Sequence, residues 1–408
     1  MPDVPPAKEL RPLLRKLTER LATELARPTS TTAPDWSELE WRMARGVAAL
    51  HGVSPLLSQA LKWEGPPEWK TFLNDQRMHV VARHRRIEDL LTQLDARSRE
   101  DGVAFVPLKG AALHAMGLYR CGERPMADLD LLVHPRDAQR AVAVLESLGF
   151  SELFANWKHQ VFVPAVRDVH AGMGEHAGNY LKIELHQRVA EILPLRISDV
   201  TDRILPRHPH PGLNAYPSKA ALLIHLLIHA ASSMAYRALR LLHLNDIALL
   251  CACMSESDWD ELLHYGRVKG GPWWALPPLQ LTARYYEMAI PTEVLRALAA
   301  GCPWTLRQLT RYQSLSDVSL SYPWIEAFPG IGWCQSVAEM LEHISSRVRP
   351  SPQVLQLREV AVKTQIASSA GDWASLSQGR RMLKWIASRQ TRPDTLHVVR
   401  SALAIPRE

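Results

Sequence analysis

The chain has 408 residues and sets 48 Lys and Arg against 42 Asp and Glu, a formal charge of +6. A hydrophobic fraction of 47% with 22% charged residues excludes a disordered or fibrous chain, and the length predicts two or three structural units, since single cores stop growing at roughly 250–300 residues. Of the 48 cations 37 are Arg and 11 are Lys, a bias that an Arg-rich background explains without a dedicated anion-binding surface.

The five cysteines, Cys121, Cys251, Cys253, Cys302 and Cys334, lack CxxC spacing. Neither a disulfide framework nor a zinc knuckle is expected, which fits a reducing cytosol. The N-terminal MPDVPPAKELRPLLRKL has no apolar run of secretory type, and the longest apolar stretch, Ala220 to Ala231, falls short of the ~20 residues that span a bilayer. A cytoplasmic protein with no integral membrane association is expected.

Leu10, Leu13, Leu14, Leu17, Leu21 and Leu25 recur at helical spacing, and RPTSTTAP follows as a linker. Asp35 is the expected cap of a second helix that stops at Gly52. A third covers Ser54 to Lys62, and a long fourth runs from the Gly65-Pro66-Pro67 turn to about Arg99. The pattern then changes to short β runs at Val103 to Leu108, Asp128 to Val133, Gln160 to Val163 and Leu181 to His186. An amphipathic helix, PRDAQRAVAVLESLG, lies between the second and third and ends at Gly149. Helical periods return from Ser218, broken near Gly270-Gly271-Pro272, Gly301-Cys302-Pro303, Pro329-Gly330 and Pro350-Ser351-Pro352. The fold class is therefore α+β and mostly helical. A helical region occupies 1–100, an α/β core 101–190, a helical substrate or acceptor region 191–350 and a helical tail 351–408.

Chemistry concentrates in VPLKGAALHAMGLYRCGERPMADLDLLV, Val106 to Val133. Asp128 and Asp130 are two apart on a strand, so both carboxylates face the same way and repel unless they share a cation. A hard divalent ion such as Mg2+ suits them; by itself the pair also fits two exposed carboxylates flanking a buried leucine. Lys109 and Gly110 stand where the first strand turns into a helix, a place where backbone amides meet an anion and Gly110 allows close approach. Arg124, just before the carboxylate strand, adds a guanidinium. In LKIELH, Glu184 and His186 share a face with Lys182, and Glu184 completes a three-carboxylate set.

The segment Leu108 to Val133, together with IELH, resembles the polymerase-β-type nucleotidyltransferase superfamily, specifically its bacterial branch of uncharacterised nucleotidyltransferases. That branch reads LKG, then Arg, then D-h-D-h-L-h, then h-(D/E)-h-H, with h an aliphatic residue. The Lys109-Gly110-Ala111 turn departs from the wider superfamily by offering no serine hydroxyl. The resemblance implies a minimal polymerase-β-like core and two-metal transfer of a nucleotidyl or related phosphate-linked group. The donor would be a nucleoside triphosphate or another nucleotide, and the acceptor a hydroxyl or phosphate on a small molecule, peptide or protein. Asp128, Asp130 and Glu184 would hold Mg2+ or Mn2+, with Glu184 alternatively taking the acceptor proton. Lys109, Gly110, Ala111 and Arg124 would meet the phosphates. The competing readings are a toxin-type transfer to RNA or tRNA ends, which the modest charge does not favour, and a non-catalytic binding module, against which the three carboxylates argue.

Other residues carry weaker signals. His225 and His229 share a helix face without a third ligand or a HExxH glutamate, so a place near the acceptor or in the core is expected rather than a metal. His186 sits beside Glu184 as an acceptor-side or supporting group, and Asp246 is expected to orient one of these histidines. The glycine-rich His170 to Asn179 reads as a loop, Trp273-Trp274 and Tyr285-Tyr286 as core, and Arg380-Arg381 with Lys384 as a solvated helix face.

Overall fold

The computed structural model describes residues 7–168, 173–268, 272–321, 328–352, 355, 376–387 and 393–404. The expected break at Gly270-Gly271, His170 in the glycine-rich loop, and much of the tail beyond 351 lie outside the described residues. The heptad-like leucines form α1 (Ala7–Ala26), and Leu10, Leu14, Leu17 and Leu21 are buried. Helix α2 (Glu38–Leu50) is capped by Ser37 and not by Asp35. The reason is a reciprocal pair: Ser37 Oγ accepts from Glu40 N while Glu40 Oε2 accepts from Ser37 N. Helices α3 (Ser54–Ala60) and α4 (Pro67–Glu100) complete the N-terminal helical segment.

The α/β core follows as β1 (Ala104–Pro107), α5 (Gly110–Ala115), β2 (Asp128–Val133), α6 (Ala138–Ser147), β3 (Phe150–Ala155), β4 (His159–Pro164) and β5 (Lys182–His186). A hairpin of β6 (Ala190–Leu193) and β7 (Arg196–Asp199), a short α7 (Thr201–Ile204) and the two-residue β8 (Gly212–Leu213) come next. Six strands form one mixed sheet in the order β3-β4-β5-β2-β1-β8. Strands β2 and β5 are parallel, whereas β1 with β2, β4 with β5 and β3 with β4 are antiparallel. Leu129, Leu131, Ile183, Leu185 and Phe162 pack on one face against Ile87, Leu90 and Leu94 of α4 and Val144 and Leu145 of α6. Alternation then sends the even-numbered residues of β2 and β5 to the other face.

Helices α8 (Lys219–Ala235), α9 (Leu241–Cys251), α10 (Glu256–Val268), α11 (Leu276–Tyr285), α12 (Thr292–Gly301), α13 (Trp304–Tyr312) and α14 (Val337–Val348) follow. Two further described helices span Gln378–Ala387 and Pro393–Ala404. Helix α8 is apolar nearly all round and is buried accordingly. One apolar core joins α1 and α2 to α8, α9 and α11 and to Val106, Leu108 and Leu132 of the sheet. Trp274 and Tyr285 are buried in it, and Trp273 and Tyr286 pack against its edge. No described helix is long and apolar enough to cross a membrane.

His51, just after α2, ties these segments together. Its Nδ1 accepts from Leu241 N (3.1 Å) at the start of α9, and its Nε2 lies 3.4 Å from Thr18 Oγ1 of α1. Burial, with Arg240 adding to it, drives its pKa from 6.5 to about 3. The unfolded chain therefore binds a proton between those values that the folded chain refuses, so this contribution to stability is complete above pH 6.5 and is lost as pH falls toward 3. His51→Asn, which keeps an acceptor near Leu241 N, should flatten the decline of unfolding free energy across that interval in urea titrations at stepped pH.

Candidate active site

The parallel β2–β5 ladder sets Asp128 opposite Lys182, Asp130 opposite Glu184 and Leu132 opposite His186. Strand β4 continues the row, with Val161 opposite Glu184 and His159 opposite His186. One sheet face therefore carries three carboxylates, two imidazoles and a lysine. Arg83, buried on α4, brackets the entrances to both central strands by donating to the carbonyls of Met126 (2.7 Å), Ala127 (2.6 Å) and Tyr180 (3.4 Å).

Cations meet the carboxylates directly. Lys109 Nζ lies 3.0 Å from Asp130 Oδ1, and Lys182 Nζ lies 2.6 Å from Glu184 Oε1 and 3.3 Å from Asp128 Oδ2. His186 Nε2 is 2.9 Å from the same Asp130 oxygen. Burial works against ionisation of Asp130, but Lys109 and His186 outweigh it and hold its carboxyl well below the usual range. Glu184 goes the other way: burial, then repulsion by Asp128 and Asp130, raises it to about 7 against the pull of Lys182. Burial also keeps His186 and His159 neutral, with His159 lowered to about 3.

The turn after β1 is strained. Lys109 has φ +48°, a left-handed conformation that a non-glycine residue adopts only where its surroundings impose it. Tyr216 supplies part of that constraint, its hydroxyl accepting from Lys109 N (3.4 Å) and hydrogen-bonded to His225 Nδ1 (2.8 Å). His225 thus sits behind the turn and is absent from the cleft lining. Helix α5 is short and ends ahead of Gly117, which turns left-handed at φ +71°, and the Ala111 N–H is already bonded to Leu108 O. A Cβ on Gly110 would land on Arg124 Nη1 and within 2.9 Å of the Met126 side chain.

Arg124 is buried and committed. Its Nε donates to Asp246 Oδ1 (2.8 Å) and its Nη2 to Asp246 Oδ2 (2.7 Å), a bidentate pair that locks the loop before β2 onto α9. Asp246 also accepts from Tyr119 Oη (2.6 Å), so it holds Arg124 and Tyr119 and does not orient a histidine, as its sequence context had suggested.

Asp128, Asp130 and Glu184 line a cleft of about 440 Å³, together with Lys109, Gly110, Ala111, Arg124, His186 and His229. Helices α8 and α9 form its far wall through His229, Ser233, Leu242 and His243. His229 Nδ1 lies 3.3 Å from Glu191 Oε1, and Lys158 Nζ binds the same oxygen. Burial opposes the Glu191 charge, yet His229 and Lys158 outweigh it and hold its pKa well below the ordinary value. Sequence reading missed Glu191, Lys158 and His159. The signal for His159 lay in HQVFVP, where a period of two puts His159 and Val161 on the cleft side and Phe162 in the core.

A family model described as an uncharacterised nucleotidyltransferase matches residues 37–271. The chain belongs to that family. With it comes membership of the polymerase-β-like nucleotidyltransferase superfamily, and the match takes in the whole six-stranded sheet along with α2 to α10. No curated protein and no solved structure matches the chain. In this nucleotidyltransferase family member, His159, Glu184 and His186 also bring one ligand atom each to within 4.8 Å of one another, a group able to chelate a metal.

The Arg124–Asp246 pair carries a separate expectation. Removing one partner of a buried ion pair strands the other, at a cost of about 3–5 kcal/mol. Asp246→Ala should therefore lower the unfolding free energy by that amount, read as a shift of the urea midpoint to lower concentration with the slope unchanged, and Arg124→Met combined with Asp246→Leu should recover most of the loss.

Proposed function

We propose that this protein transfers a nucleotidyl group, or a related phosphate-linked group, from a nucleoside triphosphate to a hydroxyl or phosphate on a small molecule, peptide or protein. The observation that carries the reading is the in-register pairing of Asp130 with Glu184, with Asp128 two residues before Asp130, on the floor of the cleft. A volume of about 440 Å³ suits a small-molecule site, for which ~300–1,000 Å³ is usual.

The donor set fits a hard divalent ion. Asp128, Asp130 and Glu184 offer carboxylate oxygens, and Asp128 is the most open of the three, its side chain 35% exposed. These three residues would hold Mg2+ or Mn2+, which would supply charge neutralisation at the donor phosphates and polarise the transferred phosphorus. Lys109, freed from Asp130 as the carboxylates are otherwise neutralised, turns its ammonium to the donor phosphates beside the Gly110 amide. Ala111 contributes shape alone there, since its N–H is spent on Leu108 O. Arg124 acts through structure, fixing the Gly110 turn against α9.

The acceptor enters from the α8–α9 side. With Nδ1 turned to Glu191, His229 keeps Nε2 for the acceptor hydroxyl and draws off its proton as the oxygen attacks the α-phosphorus in line, the bond to the β-phosphate breaks and pyrophosphate leaves. His186 steadies Asp130 through the bond to Oδ1, and His225 steadies the Lys109 turn through Tyr216. The residues after 190 then select the acceptor and supply its base, and 101–190 hold the donor and the metal.

Labelled nucleoside triphosphates incubated with the protein and cell extract, with label sorted into RNA, protein and small-molecule fractions, test the reading. Mg2+-dependent label in protein or small molecules is expected, reduced at least about a hundredfold in the Asp128→Asn, Asp130→Asn double variant. Label in RNA would move the acceptor to nucleic acid. Nucleotide binding without any transfer would leave a binding module instead.

A further inference from the structure

The two oxygens of Glu184 face different partners. Oε1 is bonded to Lys182, on the side of Asp128, whereas Oε2 faces His159 Nε2 at 3.7 Å and His186 Nε2 at 3.8 Å. Two imidazole nitrogens and a carboxylate oxygen thus converge on one point beside the carboxylate pair, with Lys109 on the far side of Asp130 Oδ1. The edge of a tetrahedral zinc site with bonds of about 2.0–2.1 Å is about 3.4 Å. The two edges from Glu184 Oε2 lie within a few tenths of an ångström of that, and the three ligand atoms stand within 4.8 Å of one another, so the remaining closure falls to the imidazole rings turning toward the ion.

The placement is built into the sheet. His159 and His186 are directly opposed across the β4–β5 ladder, and Glu184 stands two residues back on β5. The neighbourhood also sets the tautomer of His159. Asn156 Oδ1 accepts from the backbone N–H groups of Lys158 (2.8 Å) and His159 (3.0 Å), which leaves its amide nitrogen facing His159 Nε2 at 3.3 Å. That nitrogen can only donate, so Nε2 presents a lone pair and the ring proton sits on Nδ1.

We propose that His159, Glu184 Oε2 and His186 form a second metal site, one that takes Zn2+ in preference to Mg2+. Two imidazoles and one carboxylate are a borderline-soft donor set suited to zinc, whereas Mg2+ takes oxygen ligands and holds its water. Three protein ligands leave a fourth position for a water or ligand oxygen. Glu184 and His186 line the main cleft and His159 a neighbouring cavity of about 420 Å³, so the metal stands in the wall between the two. Zinc replaces the Asn156 contact at His159, and at His186 it takes the Nε2 lone pair as the single ring proton shifts to Nδ1, so the imidazole stays neutral and its bond to Asp130 Oδ1 is given up. The site shares Glu184 and His186 with the transfer reaction proposed above, and zinc takes His186 from Asp130, but its test reads metal binding alone and so is separate from that of the transfer.

The test is calorimetric titration of the metal-stripped full-length protein with Zn2+ in the presence of excess Mg2+. One equivalent should bind, with affinity at least tenfold lower in His159→Gln and in His186→Gln. His159→Cys, which keeps a zinc ligand at that position, should retain the site, and the zinc isotherm of Asp128→Asn should match that of the unaltered chain. Co2+ loaded into the same site should give the intense visible bands of a low-coordinate ion, absent from His159→Gln. Circular dichroism melts establish that each variant is folded. If His186→Gln is not, the contrast between His159→Gln and His159→Cys decides. Absence of stoichiometric zinc binding, unchanged binding in His159→Gln, or loss in Asp128→Asn with retention in His159→Gln would each overturn the proposal.

Discussion

Asp130 and Glu184 stand directly across the β2–β5 ladder, where neighbouring strands lie about 4.8 Å apart, and two full charges at that spacing repel by about 3.5 kcal/mol at an effective dielectric constant of about 20. Asp128 adds a third charge to the same face. The register that creates this repulsion is held from the opposite face, where Leu129, Leu131, Ile183 and Leu185 are clamped under α4 and α6. A one-residue slip of either strand would turn carboxylates into that apolar layer, so packing on one side enforces charge on the other. Lys109, Lys182 and His186 offset the repulsion, and the strained Lys109 backbone is part of what it takes to bring one of those ammonium groups within reach.

Much of this was legible in the chain itself because it rests on local periods. Two carboxylates two apart on a strand share a face whatever the rest of the protein does, and IELH announces the same for Glu184 and His186. The LKG turn, the α6 helix with Gly149 at φ +85° beyond it, and the helical leucines of α1 are equally local. What sequence could not supply was pairing at a distance. Arg124 reads as a free cation near a phosphate, and only the fold brings Asp246, 122 residues away, under its guanidinium. The strand β3 was missed because FSELFA lies at a sheet edge with most of its side chains exposed, leaving no buried face to print an alternation. The β6–β7 hairpin turns through Pro194-Leu195, without the Asn-Gly or Asp-Gly signal, and β8 is only two residues long.

The division between lysine and arginine follows from the same constraint. Arginines near the site serve as struts: Arg83 spans the carbonyls of Met126, Ala127 and Tyr180, Arg86 those of Ala177 and Asn179, and Arg124 the carboxylate of Asp246. A planar fork with several fixed donors suits a contact that must not move. The ammonium groups at the carboxylates are all lysines, Lys109 and Lys182, with Lys158 on Glu191 beside them, although the chain has only 11 lysines to 37 arginines. A point charge on a flexible stem neutralises a carboxylate without a bidentate geometry that would have to be broken for the contact to change. Three arginines, Arg83, Arg86 and Arg124, thus form a fixed frame beside which the lysines make single, displaceable contacts.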